Sequence, residues 1–480
     1  MEKRYSYQSM ANAATKRRSS KSTVTSKKSK RTRAISTYKA ALDFLFSNTN
    51  YESVKRLRYN VDTFSLDRMN RLLRGIGNPH KKLAAVHVAG SKGKGSTCTM
   101  LAEMLIHNGY KVGLYTSPHV IDLRERIVVN HQIISEAAMV RAVKKIAPIV
   151  KKMAVDPPTF FEILTAIAFF HFLATNVDIA VIETGLGGRL DSTNVIVPEA
   201  VGITNISVDH QHQLGDTVSK IAKEKAGIFK EGIPAVSVMQ EPETMRVLRL
   251  EANKARAPLR FTGKDIDFSY RFESSRQLGP HNRVCLTTSE SDFQHLPVPL
   301  LGEHQAINCG LALSLLDCLK MRGYEINDAK AIQGLAKTKL SGRMEIVHEN
   351  PRVVVDGAHN AASIRACVQA TGQHIPYDSM VVIFGCCEDK DVAGMLGQLQ
   401  YGADKVIFTR VNSPRSMYPE DLAQQYTELC GKMCQTAFNL REALRVARTA
   451  ITTGDLICIT GSFYLVGEAK KLFKNGDAPL

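Results

Sequence analysis

Apolar residues recur along this chain at two spacings, and the switches between them mark out its elements. "LDRMNRLLRGIGNP" (Leu66 to Pro79) sets Leu66, Met69, Leu72 and Leu73 on one helical face, and its glycines and proline stop the helix. "YKAALDFLFSN", from Tyr38, predicts a shorter amphipathic helix. "LAAVHVAG" is a short apolar run that predicts a strand, and "STCTMLAEMLIHNGY" predicts a helix closed by Asn108-Gly109. "KVGLYTSPH" is the next strand. "FFEILTAIAFFHFLATN" is apolar all round and predicts a buried helix. Strands in "VDIAVIETGLGG", "AVGITNIS" and "PAVSVM" follow, with a helix in "TVSKIAKEKAGIFKEG" before the last. This alternation predicts an α/β fold on a mostly parallel, doubly wound sheet. Such sheets hold their ligands at the carboxyl ends of the strands.

The pattern then changes. From Phe261 to Pro299 it is mixed and polar, which predicts short antiparallel strands or an insertion. A long helix in "GEHQAINCGLALSLLDCLKMRG" leads to a second, smaller α/β series that reads as Rossmann-like. Its strands begin in "PRVVVDGAHN", "MVVIFGCCEDKD", "ADKVIFTRVNSPRS" and "DLICITGSFYLVGEA", with a helix in "ASIRACVQATG". No internal repeat is present. At 480 residues the chain is too long for one ordinary core. We divide it into a tail (1–36), a first α/β domain (37–337) and a C-terminal domain (338–480).

Charge alters the picture in one place. Eleven Lys and Arg residues against Glu2 give the first 36 residues +10 of the chain's net +17. That Ser/Thr-rich stretch has too few apolar residues to order itself, so it reads as a disordered tail. A nucleic-acid or acidic-partner arm and an acid-poor transit peptide are its alternatives. No run of 18 apolar residues predicts a membrane span. The ten cysteines are scattered without a C-x-x-C pair, which suits free thiols in a reducing cytoplasm better than a zinc site. We expect a cytoplasmic monomer.

Candidate chemistry collects at the strand ends. "HVAGSKGKGST" has the grammar of a phosphate loop, yet Gly95 separates Lys94 from Ser96, and Val88 stands where the common loop has its first glycine. Glycines let backbone N–H groups turn toward phosphate oxygens, a lysine bridges phosphates, and a hydroxyl reaches magnesium. Lys94 and Ser96 fit those roles; a plain glycine-rich turn is the alternative. Glu183 ends a strand with glycines beside it, as a magnesium ligand would, or as a solvated carboxylate would. "VDHQH" offers His210 and His212, but no third soft ligand for zinc lies near in sequence; His210 suits a site role and His212 stays unassigned. Asp356, His359 and Asn360 stand together in "VVVDGAHN", where they could orient reactants, grip a nucleotide or merely form an Asp-Gly turn.

Together these motifs resemble the folylpolyglutamate and dihydrofolate synthases of the Mur ligase superfamily, ATP-dependent enzymes that form amide bonds. The family's G-T-N-G-K-G-S loop corresponds to Gly90, Ser91, Lys92, Gly93, Lys94, Gly95 and Ser96. "YTSPH", "RERI", "TFFEILTAIAF", "ETGLGGRLDSTN", "VDHQHQLGDTVSKIAKEKAGIFK", "GEHQAIN", "SGRMEIV", "DGAHN" and "GSFYLVGE" follow in family order. The resemblance implies ATP and Mg²⁺ as cofactors, and a pterin or folate and L-glutamate as substrates. It implies Ser117, Glu183 and His210 as magnesium ligands beside Ser96, Lys94 as the phosphate lysine, and Lys225 as a lysine that is carbamylated to support a second magnesium. Asn308, Arg343, Asp356 and His359 become nucleotide and amine-site contacts. The helix and turn from Leu66 to Pro79 resemble the region near the pterin pocket. Residues 1–36 have no counterpart, and "FTGKDIDFSYRF" matches loosely. A peptidoglycan-type amino acid ligase is the rival within the superfamily, and nucleic-acid binding through the tail the rival outside it.

Overall fold

The computed structural model describes residues 35–50, 65–208 and 211–480. Residues 1–34 of the tail, the segment 51–64 and His210 therefore lie outside the described residues, as do the side chains of Gln211 and His212.

The first sheet has eight strands. β1 (Ala85–Ala89), β2 (Val112–Tyr115), β3 (Ile127–Val129), β4 (Gln132–Ile133), β5 (Ile179–Glu183), β6 (Ala200–Ile203), β7 (Ala235–Ser237) and β8 (Leu259–Phe261) stand in the order β4-β3-β2-β5-β1-β6-β7-β8. All neighbours from β2 to β8 run parallel, while β3 and β4 add an antiparallel hairpin at one edge. The side-chain period of two explains the double winding. Val86, Val88 and Val181 point to the layer that holds helices Lys94–His107 and Glu303–Met321. Ala85, Ala180 and Ile182 point the other way, to helices Glu136–Lys152 and Phe160–Ala174. Both faces are covered, so the central strands are buried throughout. Helix Phe160–Ala174 is the buried helix that the sequence predicts. Thr159 and Glu162 form its capping box, and Glu162 also pairs with the buried Arg68.

The polar stretch after Phe261 is an antiparallel sheet of β9 (Asp267–Ser275), β10 (Gly279–Thr287) and β11 (Asp292–Pro297). One of its faces packs Val284, Leu286 and Phe293 against helix Glu303–Met321. The C-terminal domain is a second sheet, of β12 (Glu345–Glu349), β13 (Arg352–Val355), β14 (Met380–Phe384), β15 (Lys405–Thr409), β16 (Gln435–Ala437) and β17 (Leu456–Thr460). Its order is β12-β13-β17-β14-β15-β16, parallel except for β12. Helices Ala361–His374, Val392–Leu399 and Pro419–Cys430 cover one face, and Leu440–Ala450 and Phe463–Lys474 the other. No described helix is long and apolar enough to cross a membrane. All ten cysteines are unpaired.

Candidate active site

The chain leaves β1 toward β2 on one side and β6 toward β7 on the other, which opens a crevice at the carboxyl ends of these neighbouring strands. The loop Gly90–Gly93 fills that crevice, and Gly93, at φ 88°, caps helix Lys94–His107. The loop's glycines are steric necessities. A Cβ on Gly90 would lie 1.7 Å from Thr204 Oγ1, and one on Gly93 would lie 2.1 Å from Asn308 Oδ1. The end of β6 buttresses the loop: the Ser91 N–H donates to the Asn205 carbonyl at 2.8 Å, and the Ser91 hydroxyl to the Ser207 carbonyl at 2.9 Å. Lys92, half-buried, joins this buttress through its N–H, which donates to the same Asn205 carbonyl at 3.3 Å.

Two lysines converge on one carbonyl. Lys94 Nζ donates to Gly90 O at 3.2 Å, and Lys225 Nζ, from the last turn of helix Val218–Ala226, donates to it at 2.7 Å. The "GLGGRLDSTN" segment holds Lys225 there. A Cβ on Gly188 would lie 2.7 Å from the Lys225 carbonyl, and Asn194 Nδ2 donates to the carbonyls of Arg189 and Gly227. Asp191 ties the segment's turn to the Leu186 and Thr193 N–H groups, and the Thr193 hydroxyl meets His87 Nε2 at 2.8 Å. Burial pushes His87 down to about 3, so its ring is neutral.

Glu183 is 4% exposed at the end of β5. Its Oε2 accepts from the Ser117 N–H at 2.9 Å, and its Oε1 lies 3.9 Å from Lys94 Nζ, beyond hydrogen-bond reach. Burial pushes its carboxyl above the usual carboxylate range, opposed by Lys94, the Ser117 N–H, Arg343 and Arg126. A buried carboxylate that lacks full charge compensation beside a phosphate-type loop is the donor a divalent cation needs. Ser96, also buried, stands in the first turn of the helix. Ser117 meets Glu183 through its backbone rather than its hydroxyl. Among the described residues no three His, Cys, Asp or Glu side chains are grouped to hold a metal.

Arg343 brings the second domain to this place. Its charge acts on Glu183 at the end of β5 and on Asp356 at the end of β13. Asp356 is pushed up by burial, and its two oxygens accept from the N–H groups of Met344 and Ala358 at 2.9 and 2.8 Å. The Arg343 guanidinium lies 4.5 Å from the Phe463 ring centre, and the His359 ring lies 5.8 Å from the same centre. His359 Nδ1 stands 2.8 Å from the Gly357 carbonyl, which makes Nδ1 the donor nitrogen. Asn360 caps helix Ala361–His374. His304 lies inside the quoted "GEHQAIN" but is singled out by nothing in the sequence. Burial and then the Arg343 charge push it down to about 4, so its imidazole is neutral.

The sequence matches the Mur ligase middle domain over residues 88–316 and the Mur ligase glutamate ligase domain over residues 342–463. It is similar to the dihydrofolate synthase/folylpolyglutamate synthase of Bacillus subtilis, 34% identical over 424 residues that cover 87% of this chain and 97% of that one. The fold is similar to that of Mycobacterium tuberculosis folylpolyglutamate synthase complexed with ADP (TM-score 0.82, 31% identity, 91% of this chain and 98% of that one). It is also similar to E. coli FolC in complex with DHPP and ADP (TM-score 0.80, 27% identity, 92% and 99%).

Proposed function

The chain belongs to the folylpolyglutamate and dihydrofolate synthases of the Mur ligase family, ATP-dependent glutamate ligases, and from that premise we propose how its site joins L-glutamate to a pterin carboxylate. A carboxylate does not condense with an amine unaided, because its oxygen is a poor leaving group. One carboxylate oxygen attacks the γ-phosphorus of ATP, the bond to the β-phosphate oxygen breaks, and ADP leaves. The glutamate amine then attacks the acyl carbon and loses a proton, and inorganic phosphate departs with that carboxylate oxygen.

The residues divide this work by position. Loop N–H groups between Gly90 and Ser96, with Lys94, hold the phosphates and neutralise charge as it moves. Lys225 keeps the loop in shape through Gly90. Magnesium, when bound, would supply further charge neutralisation on the phosphates, and Glu183, Ser96, Ser117 and His210 would hold it. The family resemblance adds a carbamate on Lys225, which would turn that cation into support for a second ion. Asn308 packs on the loop from the long helix. Arg343, Asp356 and His359 approach from the C-terminal domain and receive the nucleotide and the incoming amine.

The observation that carries this reading is the loop itself, where Lys94 and Lys225 meet at the Gly90 carbonyl and the buried Glu183 lies 3.9 Å from Lys94. The test is ADP release at saturating ATP, with dihydropteroate or with tetrahydrofolate as acceptor. The reading expects release that depends on both the pterin and L-glutamate. The ratio of the two rates assigns the preferred acceptor. Release that ignores glutamate would refute the reading.

A further inference from the structure

His374 ends helix Ala361–His374 of the C-terminal domain and is 7% exposed. Its ring touches two segments of the first domain. The Gly302 N–H donates to Nε2 at 3.2 Å, and Nδ1 lies 3.0 Å from the Pro280 carbonyl. A backbone N–H only donates and a carbonyl only accepts. The ring must therefore carry its proton on Nδ1 and a lone pair on Nε2. Phe272 of β9 meets the ring edge-on at 5.3 Å.

These contacts sit at a sensitive place. Pro280 belongs to β10, and Gly302 caps helix Glu303–Met321. That helix carries His304, which feels the Arg343 charge, and Asn308, against Gly93 of the loop. Gly302 has φ 103°, and a Cβ there would come within 2.6 Å of the His304 ring and 3.2 Å of Ala370. One neutral imidazole thus ties the C-terminal domain to both the inserted sheet and the start of the helix that backs the phosphate loop.

We propose that His374 is a positioning residue for the ligase reaction: its Nδ1–H and Nε2 lone pair latch the C-terminal domain onto Pro280 and Gly302, and so set Asp356 and His359 against the loop. The proposal rests on the ligase reading above. A proton added at Nε2 would face the Gly302 N–H, donor against donor, and the latch would lose that bond. Burial disfavours that proton, the bond to the Pro280 carbonyl opposes burial in part, and His281 adds to the effect of burial. The surroundings are consistent with a neutral ring. On β10, Arg283 donates to His281 and pairs with Glu273 of β9. At the helix start, Glu303 accepts from the Tyr270 hydroxyl, and His304 is itself neutral. The latch is therefore closed at neutral pH and opens in acid.

The test uses the full chain with His374→Phe, which keeps shape and loses both bonds, and His374→Gln, whose amide offers one acceptor and one donor. We expect His374→Phe to lower kcat by about tenfold while its Kd for ADP stays within about twofold, since closure and not nucleotide binding is lost. His374→Gln should recover to within about threefold of wild type and lose the acid limb of the kcat profile that wild type shows below the ordinary imidazole range. Wild-type kcat and acid limb in His374→Phe would overturn the proposal. So would parallel loss of kcat and ADP binding in both variants, the mark of a merely structural role. If His374→Phe does not fold, the acid limb of His374→Gln decides: its persistence overturns the latch. A wild-type enzyme without glutamate-dependent ADP release would instead fail the ligase reading.

Discussion

Glu183 shows what the site costs at the scale of one residue. Its carboxyl is buried, and burial outweighs the cations and the Ser117 N–H that favour its charge. A carboxyl with a raised native pKa binds protons more tightly in the folded state than in the unfolded one. Stability then falls as pH rises from the unfolded value through the folded one, and stays lower above it. Each unit of such a shift is worth about 1.4 kcal/mol. Glu183→Gln removes that penalty while its amide oxygen can still accept from Ser117. We predict a higher melting temperature for Glu183→Gln at neutral pH without ligands, together with loss of ligase turnover; a lower melting temperature would contradict the electrostatic account. The sequence already pointed to Glu183, because a carboxylate at the end of an apolar strand beside glycines is conspicuous. It could not point to His304, whose environment depends on Arg343 arriving from 39 residues further along the chain.

At the scale of elements, the strand–loop–helix unit around Gly90 to Ser96 was legible because apolar runs and glycines punctuate it locally. Its support was not. Asn205 and Ser207 hold the loop from the next strand, and Asp191 and Asn194 brace Lys225 through a turn that reads as polar loop. Partnerships made across a sheet leave no local spacing to read. The edge hairpin of β3 and β4, which makes the sheet mixed, and helix Glu136–Lys152 also lacked a motif to draw the eye. The loop yields a paired prediction. Gly93 and Gly109 both have positive φ, but a Cβ on Gly109 meets nothing within 4 Å while one on Gly93 strikes Asn308. Gly109→Ala should cost about 1 kcal/mol of stability and leave ADP binding intact. Gly93→Ala should cost more and abolish ADP binding, as calorimetric titration would register; equal behaviour of the two would contradict the packing described for the loop.

At the scale of the whole molecule, function depends on two sheets presenting their strand ends to one place. The two α/β series and the antiparallel stretch between them were legible from alternation and polarity. The contacts that join the domains were not, because each pairs residues far apart in sequence, such as His374 with Pro280 and Gly302, and some are made by residues without chemistry of their own. Gly467, in "GSFYLVGE", is one: a Cβ there would lie 2.1 Å from the Val120 carbonyl of the first domain. Gly467→Ala should therefore displace the C-terminal domain, lowering kcat by about tenfold or more while ADP affinity holds. Unchanged kcat in that variant would show that this contact does not set the alignment. The central claim is that the acceptor's carboxylate oxygen is transferred to phosphate during amide formation. Its most direct test uses a pterin substrate labelled with oxygen-18 in the reacting carboxylate, and mass analysis of the inorganic phosphate released with ATP and L-glutamate. The account predicts one labelled oxygen in each phosphate for each amide bond formed. Unlabelled phosphate alongside normal amide formation would contradict it.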